Sequence, residues 1–241
     1  MPVKRICLWS SPRNISTATM YSFAQRSDTT VVDEPLYAHY LRQSGVAHPG
    51  REETLESMEN DGQKVIEEII LGPCPTPVLF MKHMTHHLIN IDTSFMDQTE
   101  NALLIRDPYE IIRSYSKVIP NPNMSDIGVQ QQYELYHQLE EKGKLATVVD
   151  TNEVLKNPRK ILEQLCGKLT IPFEEVMLSW PAGPRPEDGT WAKYWYHNVH
   201  NSTGFQPYQP KARVPLAPHL EVLLAECIPY YEFLYQHSLK A

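Results

Sequence analysis

The chain has 241 residues, enough for one α/β domain with a large core, and its 22 Lys and Arg against 29 Asp and Glu give a net charge of −7. That balance argues against a nucleic-acid binder, which needs a basic face, but a local cationic cluster can still hold a small anion. Cys7, Cys74, Cys166 and Cys227 lie far apart with no Cys-x-x-Cys pair, so reduced thiols in a cytoplasmic protein are expected, and no apolar run has membrane-spanning length or the form of a signal peptide.

The first predicted strand covers residues 4–9 and leads through Ser11-Pro12-Arg13-Asn14 into a helix over 15–26. A helix N-terminus at the end of a buried strand offers unpaired N–H groups to an anion. Ser16 and Thr17 add hydroxyl donors and Arg13 a fixed charge. The Gly-Lys-Ser/Thr ending of a Walker loop is missing. Ser and Thr also cap helices that bind nothing, so the turn alone leaves both readings open. A second strand, 29–33, stops at Asp33-Glu34-Pro35 and puts the Glu34 carboxylate at the sheet edge where ligands of open α/β sheets bind. Glu34 is a candidate general base or a cap for the helix that follows.

A helix is predicted over 52–71, with apolar Leu55, Met58, Val65, Ile66, Ile69 and Ile70, and a third strand over 77–81. Lys82, His83, His86 and His87 follow that strand; a histidine can titrate near neutrality and serve as a base. The fourth strand, 102–105, ends in Arg106. Asp107 then caps a helix over 108–118 that has Pro108 at its first position and Ser114 two turns in. Arg113 reads as part of a solvated face. A helix over 130–142 and a fifth strand over 145–149 complete the alternation. It predicts an α/β fold: a mainly parallel sheet of about five strands flanked by helices, one domain over 1–241, with a helical and loop-rich C-terminal part. Residues 181–186 and 201–218 read as long loops. Two anion positions on one sheet edge, at Arg13 and at Arg106 with Ser114, suit a nucleotide with two phosphate positions.

These stretches resemble the P-loop sulfotransferases that use 3′-phosphoadenosine 5′-phosphosulfate. "SPRNIST" is similar to their 5′-phosphosulfate loop and "LIRDPYEIIRSYSK" to their 3′-phosphate motif. "VVDTNEVLKNPRKILEQLCGKLTIPF" and "GTWAKYW", with Arg185 just upstream, extend the likeness over nearly the whole chain. The resemblance implies 3′-phosphoadenosine 5′-phosphosulfate as co-substrate, bound by Arg13, Asn14, Ile15, Ser16, Thr17, Arg106, Ser114, Arg185 and Lys193. It implies no metal and a small acceptor carrying a hydroxyl or amine; neither nucleic acid nor membrane is an expected partner, and self-association stays open.

Glu34 resembles the base of the heparan-type members. Lys82 aligns with the Lys of a Lys-Thr-His step, which puts Met84 at the histidine position and His83, His86 and His87 out of register. The expected catalytic set is Glu34 as base, His83 as second choice for that role, Lys82 as a donor near the sulfuryl group, and Arg13. Ile15 stands where the family has Gly, Asn14 where it has Ser, and Ala18 where many members stack Trp on adenine. A β-branched Ile15 is costly if the backbone there has positive φ, and tolerable if it is already helical. Tyr37, Tyr40, Trp191, Trp195 and Tyr196 line a pocket or fill a core. The rival readings are a P-loop kinase or NTPase and a non-catalytic nucleotide-binding relative.

Overall fold

A computed structural model describes residues 2–117, 119, 121–210 and 212–241. Five strands, β1 (Lys4–Ser10), β2 (Thr29–Asp33), β3 (Val78–Met84), β4 (Glu100–Ile105) and β5 (Thr147–Asp150), form one sheet in the order β2-β3-β1-β4-β5. Every pairing is parallel. The helices in chain order are α1 (Ser16–Phe23), α2 (Tyr37–Ser44), α3 (Arg51–Ser57), α4 (Gly62–Val65), α5 (Pro108–Tyr115), α6 (Met124–Ile127), α7 (Val129–Glu141), α8 (Thr151–Lys156), α9 (Pro158–Lys168), α10 (Ala192–Trp195), α11 (His197–His200) and α12 (Pro218–Gln236).

The strands read as continuous apolar runs because the sheet is covered on both faces. Ile6 and Leu8 of β1 pack with Met20 and Phe23 of α1 and with Ile161, Leu162 and Leu165 of α9. Cys7 and Trp9 point the other way, into a core shared with Ile111 and Ile112 of α5, Leu135 and Leu139 of α7, and Leu223 and Leu224 of α12. A third cluster joins Tyr37 and Leu41 of α2 to Trp191, Ala192 and Tyr196 around α10. Among the described residues no helix is long and apolar enough to cross a membrane.

The expected order of strands and helices is present, with two informative differences. β3 runs three residues past 81, to Met84, so Lys82 and His83 are strand residues. The helix expected over 52–71 is broken. Met58 is extended at the end of α3, Asp61 caps α4 through the N–H groups of Gln63 and Lys64, and a π-helical turn continues to Ile70. Gly62 makes that break possible, since a Cβ there would lie 2.7 Å from His39 Nδ1 and 2.8 Å from Ile91 Cδ1. Asp107 caps α5 by accepting from Tyr109 N, with Pro108 behind it; α5 ends at Tyr115, and the expected end at Val118 lies outside the described residues.

Candidate active site

The turn after β1 is built from Asn14. Its Oδ1 accepts from Ile15 N at 2.9 Å and from the Thr151 hydroxyl, and its Nδ2 donates to Leu104 O at 2.9 Å. The strongest hydrogen bonds of this side chain are therefore internal, and Asn14 frames the loop rather than facing a ligand, a correction to the expected binding set. The Ile15 N–H is spent in the same way. Ile15 has φ −92°, so its β-branch is tolerated; the positive φ of this turn falls on Arg13, at 56°.

Ser16 and Thr17 open α1, which has no side-chain cap and no acid in its first turn. Arg13 Nε donates to Ser114 Oγ at 3.0 Å, and Arg106 Nη1 donates to Arg13 O at 2.5 Å. Burial, and then the adjacent Arg106 guanidinium, lower the Arg13 pKa from its ordinary value. Glu110, in the first turn of α5, pairs with Arg106. Two guanidinium groups beside an uncapped helix N-terminus make a strongly anion-favouring place.

A second polar cluster lies on β2 and β3. Glu34 has φ 44° and its side chain turns inward, while α2 starts from Leu36 with no side-chain cap. Glu34 therefore does not cap the following helix. Lys82 Nζ donates to Glu34 Oε1 at 2.5 Å, to Asp33 Oδ1 at 2.9 Å and to Tyr196 Oη at 2.5 Å. An ammonium has three N–H donors, and all of them are used. Lys82 thus holds the acid in place and has no N–H left for a sulfuryl oxygen, which corrects the expected donor role. Burial would lower the Lys82 pKa, but Asp33, Glu34 and Tyr196 hold it well above its ordinary value. Burial pushes the Glu34 carboxyl up and Asp33 adds to this, against the pull of Lys82. A carboxylate with raised proton affinity is what a general base needs.

Strand alternation sends His83 to the opposite face from Lys82. It stacks on Trp9 with ring centroids 4.2 Å apart, is fully buried, and neither ring nitrogen has a hydrogen-bond partner among the described residues. Burial and Lys82 push its pKa down to about 3. His83 is therefore not brought to Glu34. His87 is, with Nε2 3.9 Å from Glu34 Oε2. His86 packs edge-on against His87, and burial lowers its pKa to about 4. Arg185 lies over the Tyr21 ring of α1, its carbon 4.5 Å from the ring centroid. Lys193 is turned outward to Glu53, 2.6 Å away, and does not join the first turn.

The sequence reading missed Asp33 and the specific work of Tyr196. Tyr196 Oη donates to Asp33 Oδ2 at 2.7 Å and accepts from Trp191 Nε1 at 3.0 Å, and Gly189 N donates to the same Asp33 oxygen at 3.3 Å. Asp33 was visible as an acid at a strand end; Gly189 and Tyr196, which meet its Oδ2, come from more than 150 residues away.

The chain thus has a parallel sheet with a cationic turn after its central strand and a buried acid at the end of β2. Residues 4–238 match the family described as sulfotransferase domain, and the chain belongs to that family. Its fold is shared with the sulfotransferase domain of the Synechococcus PCC 7002 olefin synthase, at a TM-score of 0.59 and 18% identity over 99% of this chain and 96% of that one. A sulfotransferase from Alicyclobacillus acidocaldarius superposes with a TM-score of 0.53 at 11% identity, covering 99% of this chain and 98% of that one. Two Arabidopsis thaliana proteins described as branched-chain-amino-acid aminotransferase-like proteins 2 and 1 are each 40% identical over 230 residues, 95% of this chain and 41% of theirs. The chain therefore spans about two fifths of the length of these relatives.

Proposed function

We propose that the protein transfers the sulfuryl group of 3′-phosphoadenosine 5′-phosphosulfate to the hydroxyl or amine of a small acceptor. The Arg13–Ser114 hydrogen bond carries this reading, because it joins the turn after β1 to the second turn of α5 across 101 residues of sequence. On this reading the first turn of α1, with Arg13, Ser16 and Thr17, holds the 5′ end of the donor, and Arg106 and Ser114 hold its 3′-phosphate. Glu34, fixed by Lys82, takes the proton of the acceptor. Such a site works by positioning and by charge aimed at the leaving phosphate. The same reading takes residues 1–241 as one domain of a cytoplasmic enzyme that needs no metal. Asp107, the acid a kinase would place on Mg²⁺, instead caps α5 and pairs with Arg213 at 2.7 Å.

The test is thermal unfolding with adenosine 3′,5′-bisphosphate or ATP, each with EDTA and with Mg²⁺. A ligand that binds only the folded chain raises the melting temperature. The bisphosphate is expected to do so equally with and without metal. A larger shift with ATP and Mg²⁺ would replace this reading with a kinase or NTPase.

A further inference from the structure

The hydrogen bonding around Glu34 constrains the atom that can react there. Lys82 occupies Oε1 at 2.5 Å, while Oε2 has no hydrogen bond among the described residues and faces His87 Nε2 at 3.9 Å. The His87 ring is 1% exposed and clamped. Tyr37 and Tyr40 both stack against it, with centroids 5.0 and 4.8 Å away and planes 11° and 25° from parallel, and their own rings lie 6.5 Å apart. These contacts pack the ring with Nε2 3.9 Å from Glu34 Oε2. Its Nδ1 is buried and has no hydrogen-bond partner among the described residues. A proton on Nδ1 would bury an unpaired N–H, whereas a proton on Nε2 faces a carboxylate; the second tautomer is favoured. Burial, and then His86, His83 and Lys82, hold the ring well below its ordinary pKa, so it is neutral.

We propose that Glu34 Oε2 and His87 Nε2–H together hold the reacting atom of the acceptor, and that this pair selects a hydroxyl over an amine. The inference rests on Glu34 being the base of the proposed sulfuryl transfer. An oxygen about 2.8–3.0 Å from each atom spans the gap of 3.9 Å. A hydroxyl has one hydrogen and two lone pairs. The hydrogen is donated to Glu34 Oε2, one lone pair accepts from His87, and the other is left for sulfur. As the new O–S bond forms, the bond from sulfur to the 5′-phosphate oxygen of the donor breaks. The acceptor proton passes to Glu34, and the electron pair leaves on adenosine 3′,5′-bisphosphate. A neutral amine has a single lone pair. If it accepts from His87 it cannot attack, and if it attacks, the His87 N–H is left buried and unpaired.

The probe is 4-(aminomethyl)benzyl alcohol, which offers both groups on one ring, with 3′-phosphoadenosine 5′-phosphosulfate as donor. The wild type is expected to form the sulfate ester over the sulfamate by at least tenfold. His87→Phe keeps an aromatic ring against Tyr37 and Tyr40 and removes the N–H. It is expected to lower that ratio about tenfold, as one lost hydrogen bond would, with affinity for adenosine 3′,5′-bisphosphate unchanged. A wild type that favours the sulfamate, or an unchanged ratio in His87→Phe, overturns the proposal. Glu34→Gln separates the two ideas: if it keeps full turnover, the base reading fails, whatever the ratio. Nitrogen-15 NMR of the imidazole with adenosine 3′,5′-bisphosphate bound reads the tautomer without turnover. A proton on Nε2 is expected, and a proton on Nδ1 overturns the proposal even where the probe does not react.

Discussion

Asn14 is a residue whose chemistry is spent on architecture. Its amide bonds to Ile15 N, to the Thr151 hydroxyl and to Leu104 O tie the first turn to β4 and to the start of α8. Removing one side chain breaks all of these bonds. At about 1 kcal/mol for each net hydrogen bond, Asn14→Ala is expected to cost roughly 2–3 kcal/mol of stability. Asn14→Asp keeps the acceptor, loses the donor to Leu104 and adds a negative charge beside Arg13. It is expected to weaken adenosine 3′,5′-bisphosphate binding more than it weakens the fold. Denaturant unfolding and ligand titration of both variants check this, and a larger affinity loss for Ala than for Asp would return Asn14 to the ligand-binding set. At this scale the sequence showed which residues can carry charge or donate, since that depends on residue type. It could not show that Lys82 has no N–H to spare, or that Asn14 is occupied, because both depend on partners far away in the chain.

At the scale of elements, a boundary error of a few residues changed the chemistry. With β3 ending at 81, Lys82 and His83 could have turned to one site. With β3 ending at Met84, the two-residue period of a strand parts them. The apolar pattern over 52–71 was helical enough to hide the break, which depends on Gly62 packing under His39. The last helix is fastened by another tertiary device. Glu153 of α8 receives hydrogen bonds from Lys156 Nζ, Tyr235 Oη and Ala241 N, and its side chain is 6% exposed. Burial opposes its charge, but these donors hold its pKa at about 2, below the ordinary 4.5. A carboxyl depressed in the folded state stabilises it above the unfolded pKa, and that contribution is lost as pH falls toward the folded value. Glu153→Gln is therefore expected to be less stable than the wild type by about 1–2 kcal/mol at neutral pH. The gap should narrow as pH drops from 4.5 to about 2. Melting curves across that range check the sign; a gap that widens in acid would show that the bonds to Glu153 do not depend on its charge.

Across the whole molecule the strand order separates two polar clusters. β1 is central, with β4 on one side and β3 then β2 on the other. Arg13 and Arg106 stand at the ends of β1 and β4, while Asp33, Glu34 and Lys82 belong to β2 and β3. The alternation of apolar runs and helices made the parallel sheet legible, because burial on both faces leaves a local mark in each strand. The closing of the segment around α10 onto β2 was not legible, since Gly189, Trp191 and Tyr196 meet Asp33 only in the folded chain. This division predicts that donor binding and chemistry can be damaged separately. Arg106→Ala is expected to weaken adenosine 3′,5′-bisphosphate by about tenfold or more and leave adenosine 5′-phosphate nearly unchanged, since a lost charged hydrogen bond costs about 1.5–3 kcal/mol. Tyr196→Phe removes the phenol that links Lys82, Asp33 and Trp191. Lys82 then loses one partner, Glu34 is held less firmly, and the single-turnover rate should fall while bisphosphate affinity stays the same. Titration and single-turnover assays on the two variants and on their combination check this. Independent halves give free-energy losses that add within about 0.5 kcal/mol. A combined loss well away from the sum would mean that the donor turn and the Glu34 cluster respond as one unit.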